Sequence, residues 1–256
     1  MAKTVLVPGS LANMPAEVTR MMVERGFTAR VLGDITADDI DRGYAHIDND
    51  VCVATAAIVG QYVRAFESAE FRDAAVLAPE LCRDCRAACT PALLKSTFER
   101  AGYTDVEIVG FSSLEVRVAS SGIESEATID PARPVVGVCG NVPVITTEAF
   151  NRVVVDHLLE EGCQVVMPPV NAIANLKDFL TPAIEYFDEL DINTVICILP
   201  FGCLGGHVYA RGQVRKMQKR FGNIGITMLD YDPSASDINL VNRTELVIQA
   251  AKERLA

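Results

Sequence analysis

Residues 135–167 have the sequence VVGVCGNVPVITTEAFNRVVVDHLLEEGCQVVM. The runs 135–138 and 164–167 are short, apolar and rich in Val, which predicts two buried strands. Residues 148–160, which lie between them, carry helical periodicity. The stretch therefore predicts a strand, a crossover helix and a second, parallel strand.

The same alternation continues along the chain in both directions. Before this unit, strands are predicted at residues 4–7, 28–32, 74–78 and 106–111, with helices at 15–24, 54–67 and 91–101. After it, strands are predicted at residues 194–199 and 226–229, with helices at 176–189, 209–220 and 239–254. This pattern predicts an α/β protein with mainly parallel sheets.

Residues 119–134 interrupt the alternation with Ser, Gly, Glu and Pro, a composition typical of a linker. We therefore predict an N-terminal lobe at residues 1–118 and a C-terminal lobe at 135–256. Both lobes are expected to be Rossmann-like (flavodoxin-like), with a cleft between them. In such sheets ligands bind beyond the carboxyl ends of the strands.

Charge and hydropathy exclude several classes of partner. The 256 residues include 23 Lys and Arg against 34 Asp and Glu, a formal net charge of −11. The absence of a basic stretch argues against nucleic acid and against an anionic membrane surface as ligands. No apolar run is long enough to span a membrane, and no signal peptide is visible, so a cytoplasmic location is expected.

Eight cysteines require a chemical explanation, and their positions divide them into two groups. Cys139, Cys163 and Cys197 lie in or beside predicted strands, where a thiol behaves as a small buried apolar group. The other five lie in loops or just before helices: Cys52, Cys82, Cys85, Cys89 and Cys203. In a reducing compartment these five are more suited to metal or redox chemistry than to structural disulfides.

The densest group of thiols is CRDCRAAC at residues 82–89, directly before a helix that Thr90 is expected to cap. Three thiols within eight residues could surround a soft metal or a cluster. The helix N-terminus and the side chains of Arg83 and Arg86 would stabilise thiolates there. Zinc would require a fourth close ligand, and none follows nearby. A redox dithiol and inert thiols remain open alternatives.

A second candidate site is LPFGCLGGH at residues 199–207, directly after an apolar strand. Glycines on both sides of Cys203 would let the backbone approach a bulky group such as a cluster. A tight turn with a bystander thiol is the alternative. The Walker spacing and the dinucleotide glycine pattern are both absent from the sequence. His207 is expected either to donate to a cluster sulfur or to cap the next helix.

Several short motifs occur in the order found in one known family. In the first half they are NDVC at 49–52, IVGQ at 58–61, CRA at 85–87, LLK at 93–95 and AGY at 101–103. In the second half they are VGVCG at 136–140, PFGCL at 200–204, DYDPSAS at 230–236 and NR at 242–243. The chain resembles the 2-hydroxyacyl-CoA dehydratase family, in particular its branch of CoA-substrate-specific enzyme activase-related proteins.

The resemblance implies a [4Fe–4S] cluster that three cysteines hold, with one iron left open to a non-protein ligand. The matching positions are Cys52, Cys85 and Cys203, whereas Cys82 and Cys89 depart from the family pattern. Residues expected to contact the cofactor beside these ligands are Arg86, Gly202, Gly205, Gly206 and His207.

The resemblance also implies a role in low-potential single-electron transfer, or in reductive activation of an acyl-CoA or similar acceptor. The chain would act as a dehydratase-like lyase component or as an electron-transfer subunit. Expected partners are an ATP-hydrolysing activator protein or another dehydratase-like subunit, with a dimer as a further possibility. Two alternatives remain open: a non-catalytic scaffold or regulatory module of the same fold, and a thiol-redox or zinc protein that uses Cys82, Cys85 and Cys89.

Overall fold

The predicted alternation of strands and helices is confirmed by the structure, a computed structural model that describes residues 2–11, 14–48, 51–80, 90–120, 127–173 and 178–255. Two compact units divide the chain, Met1–Gly122 and Ile123–Ala256, which we call the N-terminal and C-terminal units. Each contains a four-stranded, all-parallel sheet flanked by helices. The α/β class and the two Rossmann-like lobes are therefore confirmed. The bounds of the linker and the cleft between the lobes stay predictions.

The sheet of the N-terminal unit has the strand order β2-β1-β3-β4. Its strands are β1 (Lys3–Val7), β2 (Phe27–Val31), β3 (Ala75–Glu80) and β4 (Ile108–Ser112). Helices of this unit are α1 (Pro15–Glu24), α2 (Ala37–Tyr44), α3 (Val53–Phe66), α4 (Thr90–Arg100) and α5 (Ser113–Ser120).

The sheet of the C-terminal unit has the order β6-β5-β7-β8. Its strands are β5 (Val135–Gly140), β6 (Gln164–Val166), β7 (Thr194–Pro200) and β8 (Gly225–Tyr231). Its α-helices are α6 (Val142–Thr146), α7 (Glu148–Glu160), α8 (Val170–Ile173), α9 (Leu180–Glu189), α10 (Arg211–Arg220) and α11 (Ile238–Leu255). A π-helical segment, Gly205–Ala210, precedes α10 without a break.

Both sheets follow the same winding rule, because in each the first strand of the unit pairs with the second on one side and with the third on the other. The chain therefore reverses its direction of winding between β1 and β3, and again between β5 and β7. Such topological switch points open a crevice at the carboxyl ends of the two strands, where ligands of this fold class bind. A ligand site of the C-terminal unit is therefore expected among the residues that directly follow β5 and β7.

The core of the N-terminal unit is built around α3, in which every residue except Arg64 is buried. A helix that is apolar on all sides requires cover on all sides. Tyr62 and Phe66 of α3 both pack edge to face against the ring of Phe98, which belongs to α4. The Tyr62 hydroxyl donates to the carbonyl of Leu77 and lies 3.4 Å from that of Leu6. The helix is thereby tied to the two strands of the switch point.

Four α-helices were not predicted from the sequence: α2, α5, α6 and α8. Two of them, α2 and α5, carry clear start signals. The Thr36 side chain accepts a hydrogen bond from the backbone amide of Asp39, and the Asp39 side chain accepts one from the backbone amide of Thr36. This capping box starts α2. Ser112 and Glu115 form the same reciprocal pair at the start of α5. Helical structure thus extends to residue 120, beyond the point at which the predicted alternation ends.

Candidate functional site

The switch point of the C-terminal unit carries Cys203. Register pairs Gly137 through Gly140 of β5 with Val195 through Ile198 of β7, so the two strands run side by side to their carboxyl ends. Asn141 follows β5 directly, and residues 201–204 follow β7. Cys203 therefore lies at the carboxyl end of β7.

The turn after β7 is set by three backbone features. The amide of Phe201 donates to the carbonyl of Tyr231 at 2.8 Å, which extends the pairing with β8 by one residue. Gly202 then adopts a φ of +73°, a conformation that favours glycine, and the amide of Cys203 returns to the carbonyl of Pro200 at 3.0 Å. The chain therefore turns sharply and points Cys203 back toward the end of the sheet.

The sulfur of Cys203 lies among N–H donors. The backbone amide of Gly206 is 3.4 Å from Sγ, and Nδ2 of Asn141 is 3.6 Å from it. The side chain is also nearly inaccessible, with 6% of the residue exposed. Donors of this kind stabilise negative charge on sulfur, as a thiolate ligand requires.

The glycines after Cys203 serve close packing. A Cβ atom on Gly206 would lie 2.8 Å from Cδ2 of Leu199, so a larger residue would displace that side chain from the end of β7. Gly205 is buried beside it, and the amide of His207 donates to the carbonyl of Cys203 at 2.9 Å. Whether these residues also contact a cofactor stays a prediction.

The His207 side chain is directed to β8. Its Nε2 lies 3.6 Å from Oδ1 of Asp230, the same carboxylate that Arg211 contacts with Nη2 at 2.6 and 2.9 Å. Asp230 precedes the last residue of β8 and therefore links the π-helical segment and α10 to the edge of the sheet. The arrangement favours a role for His207 in holding this segment in place.

Three large apolar side chains near Cys203 are exposed to solvent: Phe201 by 62%, Leu204 by 41% and Val208 by 55%. They belong to the turn and to the π-helical segment. The thiol is thus buried while the side chains of its neighbours in the sequence are not.

Cys52 belongs to the N-terminal unit and is the N-cap residue of α3. It is 8% exposed, and its sulfur lies 3.3 Å from the hydroxyl oxygen of Thr55. Further along α3, Gln61 binds the backbone of Gly9 and of Gly33, just beyond β1 and β2. Cys52 precedes Gln61 in the chain, and at the helical rise per residue the two lie about 13 Å apart along the helix axis. The start of α3 therefore extends past the carboxyl edge of the sheet.

The third predicted ligand, Cys85, lies outside the described residues, as do its neighbours Cys82, Arg86 and Cys89. Cys52 and Cys203 belong to different units, so the expected convergence of the three thiols stays a prediction. Within the described part of the chain, no group of three or more His, Cys, Asp or Glu side chains is arranged to hold a metal ion.

The predicted burial of the other thiols is confirmed, because Cys139, Cys163 and Cys197 are each 0% exposed. Cys139 and Cys197 are register partners on β5 and β7. The hydrogen bond with the Cys139 side chain, together with burial, raises the pKa of Cys197 well above its ordinary value. Burial likewise raises the pKa of Cys163. Both environments favour the neutral thiol, in contrast to the donors around Cys203.

Asn141 is the contact of Cys203 that the sequence analysis missed. A cap could have been predicted, because Asn before a short apolar run with Pro143 in its first turn is a helix start signal. Its contact with Cys203 could not, because 62 residues separate the two along the chain.

Comparison with protein-family models and with curated proteins finds no match to this chain. None of the helices in the described ranges combines the length and the apolar character needed to cross a membrane.

Proposed function

We propose that the chain is an iron–sulfur protein of the 2-hydroxyacyl-CoA dehydratase and activase-related type, located in the cytoplasm. The observation that carries the proposal is the sulfur of Cys203, which is buried at a topological switch point and faces two N–H donors. A switch point is where this class of fold binds its ligands. The donors suit a sulfur that stays ionised as a metal ligand.

The surroundings of Cys203 would suit a ligand of such a cluster, because N–H donors face its sulfur. Cys203 would supply one thiolate, and Cys52, at the start of a helix, would supply another. Cys85, which lies outside the described residues, would complete the set. Cys52 is the N-cap residue of α3, and a helix N-terminus is a favourable place for a negatively charged group to bind. A bound [4Fe–4S] cluster would supply one-electron chemistry at low potential.

The chain's own residues would bind the cluster, limit the access of water and hold the ligating sulfurs. Gly202 and Gly206 permit the turn and the close packing that keep Cys203 nearly inaccessible. His207 and Arg211 would hold the following helix through Asp230. The electron would come from a separate ATP-hydrolysing activator, be held by this protein, and pass to an acyl-CoA or similar acceptor.

The test is iron and sulfide analysis of the full chain purified without oxygen. We expect a brown protein with about four irons per chain. Cys203→Ala should lose most of this iron. The matched control is Cys163→Ala, which removes another buried thiol, one that lies directly before β6, and it should keep its iron.

Two results would count against the proposal. A wild-type protein without iron would favour the scaffold alternative, or the thiol-redox and zinc alternative if zinc is present instead. Equal iron in wild type and Cys203→Ala would remove Cys203 from the site.

A further inference from the structure

We infer that Asn141 is a positioning residue of the cluster site, whose side-chain amide orients the sulfur of Cys203 and makes the bound cluster easier to reduce. The inference rests on the proposed function, because it concerns a ligand of the proposed cluster. It assigns a role to a residue outside the candidate site residues that the sequence singled out.

The orientation of the Asn141 amide is determined by contacts at both of its ends. Oδ1 accepts a hydrogen bond from the backbone amide of Val144 at 3.2 Å and so caps α6. An oxygen is required at that end because the partner is a donor. Nδ2 must then be the atom directed at Cys203, 3.6 Å from its sulfur.

The backbone of Asn141 is also held firmly. A Cβ on Gly140 would lie 2.7 Å from the carbonyl oxygen of Ile198 and 2.7 Å from Cγ1 of Val144. The end of β5 is therefore packed against both β7 and α6. Asn151 supports the same helix from α7, since its Nδ2 donates to the carbonyl of Val144 at 2.7 Å. The donor is consequently in position before any ligand arrives.

A donor in this position has an electrostatic consequence for a ligating sulfur. Reduction adds negative charge to a cluster and its thiolates, and an N–H group directed at sulfur stabilises that added charge. Hydrogen bonds to the sulfurs are one of the factors that set the potential of an iron–sulfur cluster. Loss of the donor should therefore shift the midpoint potential to a more negative value.

The test uses two variants of the full chain, Asn141→Ser and Asn141→Asp, purified without oxygen. Both replacements keep an oxygen that can cap α6, and both remove the amide N–H group. Iron content is measured first. The midpoint potential is then obtained by titration with dithionite, in which the visible absorbance reports the extent of reduction. We expect the potential of both variants to move to more negative values, further in Asn141→Asp because of its added charge.

Asn151→Ser is the matched control. It removes an amide that supports α6 at Val144 but is not a donor to Cys203. We expect it to lower the thermal stability and to leave the potential unchanged. If Asn141 had only a structural role, its variants would behave like Asn151→Ser: they would lose thermal stability and keep the midpoint potential.

The outcomes separate the two proposals. If wild type holds iron and the Asn141 variants keep its potential, the role of Asn141 is refuted while the cluster stands. An equal shift in Asn151→Ser also refutes it. If wild type holds no iron, the proposed function fails and this inference fails with it.

Discussion

At the scale of single residues, the thiols differ in what surrounds each sulfur. Cys203 faces the amide of Gly206 and the side chain of Asn141, both of which favour negative charge on sulfur. Cys197 faces another thiol and apolar neighbours, and its pKa is raised. Burial alone therefore does not distinguish a candidate ligand from an apolar filler, whereas the donors at the sulfur do.

A substitution at Cys82 tests which thiols bind metal. If the family pattern identifies the ligands, Cys82→Ala should keep its iron, whereas Cys203→Ala should lose it together with most of the visible absorbance. Iron content of the two variants, prepared identically without oxygen, is the measurement. The reverse result, with loss in Cys82→Ala and retention in Cys203→Ala, would move the site to the compact run at residues 82–89.

At the scale of secondary-structure elements, the pair α2 and α3 determines where Cys52 lies. The two helices approach so closely that a Cβ on Gly60 would lie 1.7 Å from the carbonyl oxygen of Asp39. A Cβ on Gly43 would lie 1.9 Å from that of Ala56. The Asp39 side chain, itself buried, is held by Arg64 from α3. Packing of backbone on backbone leaves α3 with a single position relative to α2.

Gly60→Ala should therefore destabilise the protein strongly. The added methyl group meets backbone atoms that cannot move aside, so we expect the free energy of unfolding to fall by about 3 kcal/mol or more. Urea denaturation followed by circular dichroism measures the change.

The control for this change is Gly212→Ala in α10, where a Cβ would meet nothing within 4 Å. Alanine is the better helix former, so this variant should gain up to about 1 kcal/mol. If Gly60→Ala is as stable as Gly212→Ala, the close approach of α2 and α3 is wrong.

At the scale of the whole molecule, each unit contains a buried group that can lose a proton. Burial raises the pKa of Tyr62 in the N-terminal unit, and the Cys139 contact and burial raise that of Cys197 in the C-terminal unit. In the folded protein each group therefore stays neutral at pH values above its unfolded pKa, where it would already be ionised in the unfolded chain. The stability that this difference provides is complete below the unfolded pKa and is lost as the pH rises toward the folded pKa.

The C-terminal unit should weaken first in alkali. An unfolded cysteine ionises at about pH 8.5 and an unfolded tyrosine at about pH 10. Between pH 7.5 and 9.5, Cys197 should account for a loss of roughly 1 kcal/mol in the free energy of unfolding. Cys197→Ala should lose less stability over this interval than wild type.

Tyr62→Phe serves as the comparison, because it should lose as much stability as wild type between pH 7.5 and 9.5. Urea denaturation at the two pH values, under reducing conditions, gives each difference. A wild-type protein and a Cys197→Ala variant with the same pH dependence would contradict a neutral, buried Cys197.

The strands and most of the helices follow from local pattern. All eight predicted strands are present with both ends within two residues, and the helices at residues 15–24 and 148–160 have the predicted bounds. Central parallel strands are buried on both faces, so they produce short apolar runs that need no partner to be recognised. The burial of Cys139, Cys163 and Cys197 follows for the same reason.

The surroundings of Cys203 depend on contacts between residues that are far apart in the sequence. Which strands are neighbours is settled by crossover connections and by packing, and the pairing of β5 with β7 brings Asn141 to a sulfur 62 residues away. The overhang of α3 likewise depends on backbone contacts between glycines and a neighbouring helix. Short-range pattern reports the solvent exposure of each segment, whereas a hydrogen bond to one sulfur requires the folded arrangement of both strands.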